Sequence, residues 1–227
     1  MLVPIVSNSE PITLVGGAPL TRENLSTALD LAPVSVAADG GAAPLLAHGR
    51  DPMAVIGDMD SIPKDLVCRI AKDRFHIVSE QDSTDFEKCL QRISAPMIVG
   101  VGFLGARLDH QMANQTSLVR YAHLKCLLLG ELDVVFLVPP DFSIDLPKNT
   151  RVSLFPMGEV MMQSRGLRWS TDGLKFTPGG RIGTSNVSTG HVHLKPSGPN
   201  MLAILPLSHT KLIFASLQNA KQWIVFE

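Results

Sequence analysis

Only three cysteines, Cys68, Cys89 and Cys126, occur in the 227 residues, and no two of them form a Cys-x-x-Cys pair. An odd number at such wide spacing excludes a disulfide framework and offers no zinc cluster. These thiols read as buried small hydrophobes in a reducing compartment. Net charge is equally scarce. With 20 Lys and Arg against 21 Asp and Glu, the formal charge is -1, which gives no general basic field for a nucleic acid and requires any anion site to be local. No apolar run is long enough to span a bilayer. Met1 to Glu10 has no basic n-region and contains Pro4, so it does not read as a signal peptide. The expectation is a cytoplasmic protein with no membrane or nucleic-acid partner. Also missing are a lysine P-loop of the form G-x-x-x-x-G-K-[ST], internal repeats and low-complexity tracts.

What is present is an ordinary globular composition, 45% hydrophobic and 18% charged, on a chain long enough to bury a full core. Strand and helix patterns alternate through the first part. Strands are predicted at Ile12 to Val15, Val34 to Ala37, Met53 to Ile56, Phe75 to Val78 and Met97 to Val101. Between them helices are expected from Thr21 through Leu29, from Ala42 to His48, from Pro63 to Lys72, from Asp82–Asp85 through Leu90, and from His110 to Leu124. Such alternation implies crossover connections, hence a mainly parallel, Rossmann-like sheet with flanking helices. Beyond Pro139-Pro140 the pattern changes to short alternating segments, such as Arg151 to Phe155, His191 to Leu194 and Met201 to Leu205, separated by Gly, Pro, Asn and Ser. The fold class is therefore α/β with a C-terminal all-β sandwich, the domains being 1–140 and 141–227.

In an open parallel sheet, ligands bind beyond the carboxyl ends of the strands. Asp39, Asp58, Asp60, Asp82, Asp85, Arg107 and Asp109 all lie on loops that follow strands, so the fold brings them to one edge. Each carboxylate taken singly has a capping explanation. Capping gives no reason for an arginine and so many acids to share one rim, whereas a metal-phosphate site does: carboxylates hold a hard cation such as Mg²⁺, while Arg107 and Lys88 neutralise phosphate oxygens. Lys88, one turn into its helix, reads equally as a solvated surface lysine. Two other functions compete. Gly100-Val101-Gly102-Phe103-Leu104-Gly105 matches the dinucleotide pattern G-x-G-x-x-G after a strand, but Glu131 lies too far downstream for the usual acidic partner about 20 residues on. A noncatalytic nucleotide- or vitamin-binding module would use the same edge without a metal.

Four stretches in order, Ala38-Asp39-Gly40-Gly41, Gly57-Asp58-Met59-Asp60-Ser61-Ile62, Asp82-Ser83-Thr84-Asp85-Phe86-Glu87-Lys88 and Gly105-Ala106-Arg107-Leu108-Asp109-His110, resemble the thiamine pyrophosphokinase family. Gly166-Leu167-Arg168-Trp169 and Thr184-Ser185-Asn186 extend the likeness into the second domain. The resemblance implies a magnesium-dependent enzyme that moves a pyrophosphoryl group from ATP to thiamine, working as a homodimer with sites at the subunit interface. It implies Asp58, Asp60 and Asp85 as magnesium ligands; Asp39, Gly40, Gly41, Asp82, Lys88, Arg107, Asp109 and His110 on the nucleotide side; and Asp85, Trp169, Thr184, Ser185 and Asn186 toward thiamine. Asp82 and Asp85 both qualify to take the alcohol proton, although a metal ligand is a poor base. The stretch from Thr210 to Glu227 lies beyond the matching motifs.

Overall fold

A computed structural model of the chain describes residues 3–105 and 107–224. Met1, Leu2, Val225 to Glu227 and Ala106 of the Gly105 to His110 stretch lie outside the described residues. The chain divides into two compact units, Met1–Ser117 with Leu128–Glu131, and Leu118–Leu127 with Leu132–Glu227.

In the first unit, β1 (Val6–Ser7) is followed by β2 (Ile12–Val15), α1 (Arg22–Leu31), β3 (Val34–Ala38), α2 (Ala42–Ala47), β4 (Ala54–Gly57), α3 (Lys64–Val67), β5 (Phe75–Ile77), α4 (Asp85–Leu90), β6 (Ile93–Ser94), β7 (Ile98–Val101) and α5 (Leu108–Arg120). Strand β2 pairs in parallel with β7, β4 pairs in parallel with both β3 and β5, and β1 pairs in parallel with β6. Parallel strands covered on both faces need continuous apolar runs. Here Ile12, Leu14, Val55, Ile56, Ile98 and Val99 are all buried. Helix α1 begins at Thr21, whose hydroxyl accepts the Asn24 N–H at 3.1 Å, and it buries Leu25, Ala28 and Leu29 on one face. After α2, Gly49 turns the chain out of the helix at φ +74°.

Strand β8 (Cys126–Leu129) straddles the boundary between the units. The second unit continues with β9 (Asp133–Leu137), β10 (Phe142–Asp145), β11 (Arg151–Pro156), β12 (Val160–Leu167), β13 (Leu174–Phe176), β14 (Gly183–Pro196) and β15 (Met201–Pro206). These strands run in the order β13-β12-β14-β11-β15-β9, with β10 also on β14, and every pair is antiparallel. Alternate residues of β10 and β12 are buried, among them Phe142, Ile144, Val160 and Met162. That is the period-two signature of a sheet with one wet face.

The fold is thus α/β with a large mixed sheet, its strands parallel in the first unit and antiparallel in the second. Three expectations need correction. The second unit is not all β: α6 (Thr210–Asn219) packs on β10 and buries Ile213, Phe214 and Leu217. The helix expected from Pro63 to Lys72 shrinks to the single turn of α3, which buries none of its residues and so has no packing to extend it. Finally, Cys89 and Cys126 are buried, but Cys68 is exposed just past α3. For the two buried thiols burial raises the pKa beyond the ordinary range, so they stay protonated and inert.

Candidate active site

Five loops at the carboxyl ends of the first unit's strands surround a cavity of about 380 Å³. That size lies within the range of about 300–1,000 Å³ usual for small-molecule sites. Gly16 and Gly17 after β2, Asp39 and Gly40 after β3, Ser61 after β4, Thr84 and Asp85 at the start of α4, and the Gly102–Gly105 loop with Arg107 and His110 all border it. Close backbone approach dictates the glycines. A Cβ on Gly41 would lie 1.9 Å from the Val15 carbonyl oxygen. Gly102 takes φ +78°, and a Cβ there would lie 2.5 Å from the Gly16 oxygen.

Asp39, Asp58 and Asp60 form the acidic centre, each offering an oxygen within 4.8 Å of the others. Asp39 is 2% exposed and its backbone sits at φ +42°, a conformation a non-glycine residue adopts at a cost. One of its oxygens accepts the Ser61 N–H at 3.2 Å; the other is buried with no hydrogen-bond partner among the described residues. Burial pushes the Asp39 carboxyl above its ordinary pKa, with Asp85 and Asp60 adding to the rise and Ser61 opposing it. Asp58 goes the other way, lowered first by the hydrogen bond from Gln81 and then by the Asp60 N–H and the Lys88 charge. Asp60 is exposed and accepts the Ser61 hydroxyl at 2.7 Å.

Lys88 is not a surface lysine. It is 2% exposed, and its ammonium lies 3.2 Å from Asp85 and 3.7 Å from Asp58. Burial works against that charge, but Asp85, Asp58 and Glu80 outweigh it and hold the pKa above the ordinary lysine value. The Thr84 hydroxyl caps α4 by accepting the Glu87 N–H at 3.3 Å, which leaves Asp85 in the first turn, beside the cavity. Asp82 is exposed away from the cavity lining, and its N–H donates to Glu80 at 2.9 Å. Arg107 also borders the cavity, and its guanidinium grips Asp109 through two bonds of 3.2 and 2.6 Å. That bond holds the Asp109 carboxyl down at about 2. The Asn114 amide donates to the Phe103 carbonyl at 2.8 Å, and the Gln111 side-chain oxygen accepts the Gly105 N–H at 3.0 Å, so α5 fixes the glycine loop.

In the second unit, Gly166 makes the bend that places Trp169: at φ +73°, a Cβ there would fall 1.7 Å from the His191 carbonyl oxygen. Trp169 is 56% exposed, with the Arg168 guanidinium 5.5 Å from its ring centroid. Asn186 is buried and holds the Trp169 backbone at both ends, accepting its N–H at 3.2 Å and donating to its carbonyl at 2.7 Å. Ser185, exposed beside it at φ +61°, donates its N–H to the Ser153 hydroxyl at 3.0 Å, and Thr184 is also exposed.

Residues 25–128 match the family described as thiamin pyrophosphokinase, catalytic domain. Thiamine pyrophosphokinase 1 of Oryza sativa subsp. japonica is 32% identical over 192 residues, an alignment covering 70% of this chain and 73% of the relative. The chain belongs to the thiamine pyrophosphokinase family. Thiamin pyrophosphokinase 1 of Caenorhabditis elegans is 30% identical over 171 residues, covering 67% of this chain and 70% of the relative. Among solved structures, yeast thiamin pyrophosphokinase superposes with a TM-score of 0.75 over 94% of this chain and 95% of its own, at 16% identity. That likeness speaks for the fold alone.

Family membership sets the nicotinamide reading aside, and the geometry agrees: α5 starts at Leu108, beyond the last glycine of the motif, so the loop does not run directly into a helix N-terminus. Several residues in or near the site have no counterpart among the sequence candidates. Gly16-Gly17 ends a predicted strand just as Gly40-Gly41 does, so the same loop argument reaches it. Glu80 receives the Ser83 hydroxyl and two backbone N–H groups, an arrangement that no spacing in the sequence announces.

Proposed function

We propose that the chain transfers the pyrophosphoryl group of ATP to thiamine, giving thiamine diphosphate and AMP. The observation that carries this reading is a cavity bordered by Asp39, Asp85 and Arg107, with Asp58 and Asp60 clustered on Asp39, in a chain 32% identical to a plant thiamine pyrophosphokinase. A division of labour goes with it: 1–140 as a Rossmann-like nucleotide-binding catalytic domain and 141–227 as a thiamine-binding β-sandwich, two subunits completing each site in a cytoplasmic homodimer.

The donors fit magnesium. They are carboxylate oxygens throughout, and Asp39 contributes a buried oxygen that lacks a partner among the described residues. Asp58, Asp60 and Asp85 are the ligands proposed from the family motif, with Asp39 beside them. An ion held there would supply charge neutralisation for phosphate oxygens. The residues of the chain do the rest. Gly40, Gly41 and the Gly102–Gly105 loop let the triphosphate approach the backbone; Arg107, Lys88 and His110 supply positive or donating groups around it; and Asp109 orients the Arg107 fork. The thiamine hydroxyl oxygen attacks the β-phosphorus, its bond forms as the bridging bond to the α-phosphate breaks, and AMP leaves. Of Asp82 and Asp85, only Asp85 borders the cavity; a carboxylate that holds a metal ion is a poor base, so position and basicity point to different residues for the hydroxyl proton. Trp169 offers an exposed π face for the thiamine rings, and Thr184 and Ser185 lie exposed on β14 to contact them.

The reading is tested by incubating purified protein with ATP, Mg²⁺ and thiamine and separating the products. AMP and thiamine diphosphate in equal amounts are expected. ADP as the nucleotide product, or no thiamine-dependent turnover, would overturn it.

A further inference from the structure

Trp169 presents an exposed ring, and Asn186 fixes only the backbone on either side of it, leaving the side-chain torsions free. What lies on the ring is Arg168. Its guanidinium sits over the ring at 5.5 Å from the centroid, inside the reach of about 6 Å over which a cation is drawn to a π face. Among the described residues no other aromatic ring stacks on Trp169. Arg168 is itself tied down: its N–H donates to the Val187 carbonyl at 2.8 Å, and its guanidinium donates to the Asn149 side-chain oxygen at 3.1 Å. Asn149, at φ +67°, donates its own N–H to the Ser188 carbonyl at 2.8 Å. Three consecutive residues of β14 therefore anchor the Trp169 backbone, the Arg168 backbone and the residue that holds the guanidinium. A long side chain free in solvent keeps one geometry only at an entropic cost, and these anchors lower it.

We propose that Arg168 is a positioning residue for thiamine: it closes one face of Trp169 and orders the ring, so that the substrate stacks on the opposite face alone. The inference rests on the thiamine-binding reading above, and Arg168 acts through the ring rather than on the reacting atoms. Thiamine is itself a cation, so the Arg168 charge also opposes it. Water and salt screen that repulsion over about 8 Å at physiological ionic strength. A ring ordered beforehand, in contrast, spares the substrate the cost of immobilising a side chain on binding. Ordering outweighs repulsion, and loss of Arg168 weakens thiamine binding rather than strengthening it.

The test combines steady-state kinetics with tryptophan fluorescence on the full chain. Arg168→Ala should raise the KM for thiamine by about three- to tenfold, with kcat at saturating thiamine and the KM for ATP near their wild-type values. Arg168→Lys keeps the charge but not the planar fork held by Asn149, and should fall between the two. In a Trp169→Ala background, Arg168→Ala should cost nothing further, because the ring it orders has gone. The chain has two tryptophans, so in Trp223→Phe protein the emission belongs to Trp169. There, without any ligand, Arg168→Ala should raise quenching by acrylamide and lower the anisotropy. Should Trp223→Phe not fold, subtracting the emission of Trp169→Ala protein isolates the same signal. A thiamine KM that is unchanged or lower in Arg168→Ala, an equal loss in the Trp169→Ala background, or unaltered quenching and anisotropy would overturn the inference. Each of these leaves the functional reading intact as long as wild-type protein makes AMP and thiamine diphosphate. If it makes neither, the functional reading fails with the thiamine role, while the ligand-free fluorescence still decides whether Arg168 orders the ring.

Discussion

Asp58 and Asp60 reach solvent from a loop, so exchanging either carboxylate for its amide removes a charge with almost no loss of packing. Asp58→Asn and Asp60→Asn should each lower turnover by about 10²-fold or more, on the order of 3 kcal/mol of transition-state stabilisation, with the fold retained. Near-normal turnover in both would return these residues to capping. Arg107→Lys keeps the charge but loses the planar fork that now holds Asp109 by two bonds, so ATP should bind clearly less well in calorimetry. The same pair makes a pH prediction. A carboxyl lowered to about 2 binds no proton at any pH where the enzyme is assayed, so Asp109→Asn should leave the acid limb of the ATP-binding profile where it is. A shift of that limb would show that Asp109 titrates higher. Trp169→Ala should weaken thiamine binding by about 5- to 30-fold, from roughly 1 to 2 kcal/mol of stacking and cation-π attraction, and barely touch ATP. An equal loss of both affinities would assign the ring to structure.

Among the elements, α4 carries most of the site's positioning, since its first turn sets Asp85 beside the cavity and its second buries Lys88. Thr84→Ala removes the cap and should cost about 1 kcal/mol in urea unfolding. It should also reduce activity more than stability alone explains, because Asp85 shifts with the turn. Elements of this kind were legible in the sequence where two signals coincided. Strand β2 is found at its predicted limits, and Thr21 caps α1, because a buried apolar run there meets Gly16-Gly17 and a capping residue. At α3 the capping and proline signals stand alone, without a buried face, and the helix stops after one turn. For α6 the residues at 213, 214 and 217 do have helical spacing, but they follow a run of short β segments that masks the change of period. The 14 residues of β14 were read only in part, at 191 to 194, because the strand exchanges partners: it pairs with β11 near its start and with β10 and β12 further along. The acids on the rim were legible as a set. Burial of Lys88 and the orphaned oxygen of Asp39 were not, since both depend on how neighbouring loops close over them.

At the scale of the molecule, the residues proposed for the nucleotide and for thiamine fall in different units, Asp58 in the first and Trp169 in the second. If each site draws on both subunits of a homodimer, mixing Trp169→Ala chains with Asp58→Asn chains should restore part of the activity through hybrid dimers that carry one intact site. Verified heterodimers without activity would place each site within one chain. The central claim is the transfer of two phosphoryl units in one step, and labelled nucleotide tests it most directly. Supplied separately, ATP labelled at the β-phosphate and ATP labelled at the γ-phosphate should each deliver their label to thiamine diphosphate in equal yield, with none left in the nucleotide product. Delivery of the γ-label alone, with the β-label retained in ADP, would contradict it.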